Sequence, residues 1–114
     1  MKPDEDRFLA LTEPLLDQPS ITRSTMMGLP CLRVDGAFFA SYDRRTGDLL
    51  VKLPTARVDE LTAAGKAHDF APAGRRFSEW AAIPSDRHRS WKKLLDEALE
   101  FVSDAASGPA PRGR

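Results

Sequence analysis

The sequence predicts a two-layer α+β domain, a single antiparallel sheet with helices on one face, in the order α-β-β-β-α-β(-β)-α. Three observations carry this. Asp35-Gly36 sits between two strand-like runs and is the strongest short hairpin signal in the chain. The three adjacent strands, this pair and the next, are joined by short loops, which forces antiparallel pairing because parallel pairing needs a long crossover. Finally, Trp91, Leu94, Leu95, Ala98, Phe101 and Val102 recur at three and four residues, the stripe of an amphipathic helix that needs a surface to cover.

Residues 4–17 read as a helix, with Pro3 ahead of an acidic first turn, Asp4-Glu5-Asp6, suited to the positive end of the helix dipole. Phe8, Leu9, Leu11, Leu15 and Leu16 supply its apolar side, and Pro14 predicts a kink or break. Cys31–Val34, Ala37–Tyr42 and Leu49–Leu53 are the three strands, the last two joined by the turn Asp43-Arg44-Arg45-Thr46-Gly47-Asp48. Pro54-Thr55 opens a second helix with Thr55 as N-cap and Val58, Leu61 and Thr62 inward, closed by Gly65. A polar stretch from Lys66 to Arg76 follows, anchored by Phe70 and Phe77, and Glu79–Ile83 reads as a strand ending at Pro84. Ser85 is expected to cap the last helix, with Asp86 in its first turn. The folded domain spans 1–104, and the Gly- and Pro-bearing end, 105–114, reads as a disordered tail.

The 114 residues suit one domain, able to bury roughly two thirds of its unfolded surface without a disulfide or a structural metal. Cys31 is the only cysteine, which excludes an intramolecular disulfide and a multi-cysteine zinc site. The acidic start lacks the apolar stretch of a signal peptide, and apolar runs such as Ala37 to Ala40 are far too short for a membrane span. A cytoplasmic protein with no membrane partner is the expectation, and its Arg and Ala content points to a bacterial source.

Catalytic patterns are missing from the sequence. His68 and His88 are 20 residues apart, which matches no zinc spacing, and no nucleophile elbow, zincin, dinucleotide or phosphate-loop motif occurs. His68-Asp69 reads as a surface loop pair, Cys31 as a small buried apolar side chain, and Met26-Met27 as packing. The acids Asp4, Glu5, Asp6, Glu13 and Asp17 match the first helix dipole without a cation. No enzyme and no cofactor is therefore expected.

The basic residues carry more information. Residues 1–22 hold five acids and two bases, net −3, whereas residues 23–93 hold 13 bases and eight acids, net +5. Residues 94–111 return to net −4, and the final residues add +2. Equal totals of 17 and 17 therefore conceal a basic middle. Arg44 and Arg45 fall on a hairpin tip, where side chains can straddle a phosphate backbone, and Arg75 and Arg76 fall in the long loop. Arg87, Arg89, Lys92 and Lys93 crowd the start of the last helix, where the dipole disfavours cations; Lys92–Asp96 and Lys93–Glu97 pairs at i, i+4 would offset part of that. These eight residues are the candidate nucleic-acid contacts, against the plainer reading of a solubilising charged surface.

Thr22-Arg23-Ser24-Thr25-Met26-Met27-Gly28, Val34-Asp35-Gly36-Ala37-Phe38-Phe39-Ala40 and Leu50-Val51-Lys52-Leu53 stand in the order of three recurrent segments of a known family. Gly65, Phe70-Ala71-Pro72-Ala73-Gly74-Arg75, Trp80…Ile83-Pro84 and Trp91…Glu97-Ala98 continue it. Over residues 5–103 the chain resembles the N-terminal domain of the TfoX/Sxy competence regulators and the related YjbR/MmcQ-like proteins. The resemblance implies an α+β fold with one antiparallel sheet and a DNA-associated, regulatory role in transcription or competence. Met27 stands where the family has Phe and Ala37 where it has the hairpin Lys. A second, helical domain like that of the full-length regulators is not expected within these residues, which limits how far the regulatory role carries over. The motif residues look structural: Gly28 and Gly36 for the backbone, Phe38, Phe39 and Trp80 for the core. The functional expectation is thus a small non-enzymatic TfoX-N-like protein associated with DNA. The alternative is a protein-interaction module, an adaptor or a homodimer pairing sheet edges, without nucleic-acid binding. A third reading places a ligand pocket near Cys31, His68 and Trp80.

Overall fold

A computed structural model of the chain describes residues 3–26, 28–71, 74–75 and 77–107. Helix α1 (Pro3–Thr12) breaks into a 3-10 turn at Glu13–Asp17. The break falls where Pro14 removes a backbone donor, and the Thr12 hydroxyl, fully buried, donates back to the carbonyls of Phe8 (2.9 Å) and Leu9 (3.2 Å). The strands are β1 (Ile21–Met26), β2 (Leu29–Val34), β3 (Ala37–Asp43), β4 (Asp48–Lys52), β5 (His68–Asp69) and β6 (Trp80–Ile83). Helix α2 (Thr55–Ala63) follows β4, a 3-10 segment spans Ser85–Ser90, and α3 runs Trp91–Ser107. Among the described residues the sheet has six strands in the order β1-β2-β3-β4-β6-β5, every pair antiparallel.

The fold is the expected α+β class with two additions. β1 was not among the strands predicted from the sequence, and β5 is a two-residue strand in a stretch read as loop. The Asp35-Gly36 hairpin is present: both residues have positive φ, 52° and 85°, the conformation a two-residue turn needs between right-twisted strands. Gly36 adopts it without strain.

Register explains the core. Tyr42, Leu49 and Ile83 are cross-strand partners on one face, as are Ala40, Val51 and Ala81. The β2–β3 register shifts between Leu32 and Arg33, pairing Leu32 with Ala40 but Arg33 with Phe38. The extra residue, Phe39, therefore points to the same side as Ala40, and both are fully buried. α3 covers this face with Trp91, Leu94, Leu95, Ala98 and Val102, all buried, and α1 and α2 add Phe8, Val58 and Leu61. Phe8 stacks on Tyr42 with ring centroids 5.8 Å apart, and Trp91 meets Tyr42 edge-on at 6.4 Å. On the opposite face Phe70, Phe77 and Trp80 fold over Leu50 and Ala82, as the two phenylalanine anchors suggested.

Two caps differ from expectation. Pro54, in an extended conformation (φ −58°, ψ 146°), is the N-cap of α2, and Thr55 is its first helical residue with no capping hydrogen bond. Ser85 caps no α-helix: it begins the 3-10 segment, whose backbone leaves helical geometry at Arg87 (φ −107°, ψ 23°), and α3 starts at Trp91. Proline's fixed φ and missing N–H set both boundaries ahead of the polar side chains. At its far end α3 reaches Ser107, and residues 108–114 of the expected tail lie outside the described residues.

Candidate nucleic-acid interface

The eight basic residues separate into two groups. At the β3–β4 turn, Arg44 is pinned to α1: its Nε donates to both carboxylate oxygens of Glu5 (3.0 and 3.1 Å) and Nη2 adds a third bond at 3.0 Å. Nη1 reaches the Gly28 carbonyl at 3.3 Å. The Glu5 hydrogen bonds and charge hold this guanidinium more firmly protonated than usual. Arg45 donates from its backbone (2.9 Å) and Nε (3.2 Å) to Asp43, whose side chain is buried. Both guanidinium groups are engaged by carboxylates, while the two side chains stay exposed. Arg75 lies with its guanidinium 5.4 Å from the Phe77 ring centre, and Arg76 is outside the described residues.

Arg87, Arg89, Lys92 and Lys93 lie together on the 3-10 segment and the first turn of α3. That turn contains no acid, so the positive helix end and the cations add rather than cancel. Lys92 makes the expected pair with Asp96 at 3.1 Å. Lys93 does not make the expected pair with Glu97. Arg57 of α2 takes that carboxylate instead, through Nε at 2.9 Å and Nη2 at 3.1 Å, while its Nη1 holds Glu60 at 2.9 Å. These hydrogen bonds keep the Arg57 guanidinium charged.

A cleft lies between α2 and the start of α3. Its volume is about 230 Å³, lined by Arg57, Leu61, Lys66, Arg87, Ser90, Lys93 and Leu94. Lys66 arrives there through the end of α2: Gly65 (φ 74°) donates to Thr62 and Lys66 donates to Leu61, the paired bonds of a glycine-terminated helix. Ser90 Oγ donates to the Arg87 carbonyl at 2.8 Å and holds the kinked segment against α3. Among the described residues, Lys66, Arg87, Arg89 and Lys93 have no carboxylate partner. Sequence reasoning missed Arg57 and Lys66 as members of this edge. The Gly65 stop signal placed Lys66 just past a helix end, but nothing local tells which element that end faces.

The other candidates do not converge. Cys31, Ser41, Leu50, Ala82 and His68 form one cross-strand row, so Cys31 and His68 stand four strand spacings apart, on the order of 19 Å. A pocket shared by Cys31, His68 and Trp80 is therefore not formed. The Cys31 thiol is buried, and that burial pushes its pKa up, against smaller opposing effects of Arg33 and a Ser24 hydrogen bond. Arg33 stacks over Phe38 at 4.4 Å. His68 borders a separate cleft of about 360 Å³ with Asp43, Asp48, Asp69 and Phe70. There burial raises the Asp48 pKa above the usual carboxylate value, with Asp43 and Asp86 adding and Thr46 and His68 opposing. His88 is half-buried on the 3-10 segment, and Met27 lies outside the described residues. Among the described residues no group of three or more His, Cys, Asp and Glu side chains is placed to hold a metal ion, and no helix is long and apolar enough to cross a membrane.

No family model, no curated protein and no solved structure matches the chain.

Proposed function

We propose that this domain is a non-enzymatic, DNA-associated module of TfoX-N-like type, which holds duplex phosphates along the edge formed by Lys66, Arg87, Arg89 and Lys93, with Lys92 occupied by Asp96. The observation that carries this reading is the diversion of Glu97 to Arg57. It leaves Lys93 uncompensated beside Arg87 and Lys66, at a helix end that already favours anions. Contacts of this kind position a protein on the backbone and carry little sequence information, so binding of modest specificity is expected. The hairpin arginines take no part, because their guanidinium groups serve Glu5 and Asp43. Fluorescence anisotropy with a labelled duplex tests the reading: binding at low salt that weakens steeply as salt rises supports it, and no binding at low salt overturns it.

A second reading is favoured by the sheet edge. Among the described residues β1 pairs only with β2, and its outer row of backbone groups is guarded by a single charge, Arg23. A homodimer through β1 would show as a doubled mass in light scattering, with no duplex affinity.

A further inference from the structure

We infer that the α2–α3 cleft is a seat for a phosphomonoester dianion, a single terminal phosphoryl group rather than a passing phosphodiester. The inference rests on the reading of this edge as an anion-binding face and specifies what fits its most enclosed point. Three cations, Lys66, Arg87 and Lys93, border a space of about 230 Å³ whose floor is the buried pair Leu61 and Leu94. The fourth, Arg57, is already neutralised by Glu97 and Glu60 and stands as a fixed wall. A phosphodiester brings one negative charge to this site, and a phosphomonoester near neutral pH brings nearly two. The second charge matters here because the helix end adds its own positive potential and no acid in the first turn of α3 offsets it. A cleft of about 230 Å³ can take a single phosphoryl group at a chain terminus or on a small molecule.

The test is a titration of the full chain with inorganic phosphate, followed by NMR shifts or calorimetry at about pH 5 and about pH 7.5, on either side of the second phosphate ionisation near 6. Sulfate, a dianion at both values, serves as reference. The groups around the cleft are Arg57, Glu60 and Lys66 from the α2 side, Asp86, Arg87 and His88 from the 3-10 segment, and Lys93 and Glu97 from α3. Sulfate reports any change in their charge. The expected result is phosphate binding that strengthens by about tenfold relative to sulfate toward the higher pH, as one added charge would give. Arg87→Gln and Lys93→Gln each weaken it by about tenfold, while the remote Lys52→Gln leaves it unchanged. Both replaced residues are exposed, so the variants fold. A phosphate-to-sulfate ratio that is flat with pH, or binding that survives both replacements, overturns the inference. Duplex binding by the same samples separates the two claims. Duplex affinity without phosphate affinity removes the seat and leaves the edge, and loss of both removes both. A 5′-phosphorylated strand that binds more tightly than its 5′-hydroxyl twin identifies the source as a nucleic-acid end. Equal binding of the two, with nucleoside monophosphate bound, identifies a free phosphorylated molecule. Either result supports the seat.

Discussion

Glu97 of α3 accepts two hydrogen bonds from Arg57 of α2, at 2.9 and 3.1 Å, across 40 residues of sequence. The pair ties the two helices together and at the same time withdraws the acid that Lys93, one turn earlier on α3, would otherwise have used. Structural bracing and surface charge are therefore set by the same carboxylate.

Glu97→Gln is expected to move stability and binding in opposite directions. Loss of a partly buried, bidentate charged pair costs roughly 1 to 2 kcal/mol, read in urea denaturation. Arg57 stays held by Glu60, but loss of the Glu97 charge makes the cleft one unit more positive, so duplex and phosphate affinity rise. A variant that loses stability and affinity together contradicts this.

The hairpin arginines are predicted to be bystanders in binding. Arg44→Ala and Arg45→Ala should leave duplex affinity within about twofold of the parent, because their charges are already balanced by Glu5 and Asp43. A loss comparable to that of Arg87→Gln in the same anisotropy titration would return them to the interface.

Asp48 gives a pH signature. Its carboxyl is raised in the folded state, so the native protein holds a proton that the unfolded chain releases, and stability falls as pH rises through the usual carboxylate range toward the raised value. Asp48→Asn removes that penalty. The variant should be more stable than the parent at neutral pH, and the advantage should vanish at acid pH. Denaturation at several pH values reads this directly, and an advantage that persists in acid contradicts it.

Trp91 is the main bridge from α3 to the sheet, fully buried, edge-on to Tyr42, and with Nε1 donating to the Pro84 carbonyl at 3.3 Å. Trp91→Ala should cost about 3 to 5 kcal/mol, and Gly36→Val, which forces a β-branched residue to φ 85°, about 1 to 2 kcal/mol. Equilibrium denaturation that ranks these two the other way would contradict the account of the core.

The legible parts of the sequence were those written in local chemistry. Asp35-Gly36 carries its own turn preference, and the stripe from Trp91 to Val102 has a period that only a helix satisfies. β1 was not legible because Ile21-Thr22-Arg23-Ser24-Thr25-Met26 is an edge strand: Ile21 is buried, Thr22, Arg23 and Thr25 are exposed, and from Ile21 to Thr25 no alternation marks it. The expected caps at Thr55 and Ser85 were displaced by the prolines just before them. The basic cluster at the start of α3 was visible as composition. Its partners were not, since the Arg57–Glu97 pair and the approach of Lys66 depend on how α2 lies against α3.

The most direct test of the central claim is the salt dependence of duplex binding by the parent and by the Arg87→Gln/Lys93→Gln double variant. Four phosphate contacts give a slope of log affinity against log salt of about −3 to −4, and removal of two should bring it toward about −2. A double variant with the parent's slope and affinity would place the contacts elsewhere and contradict the account.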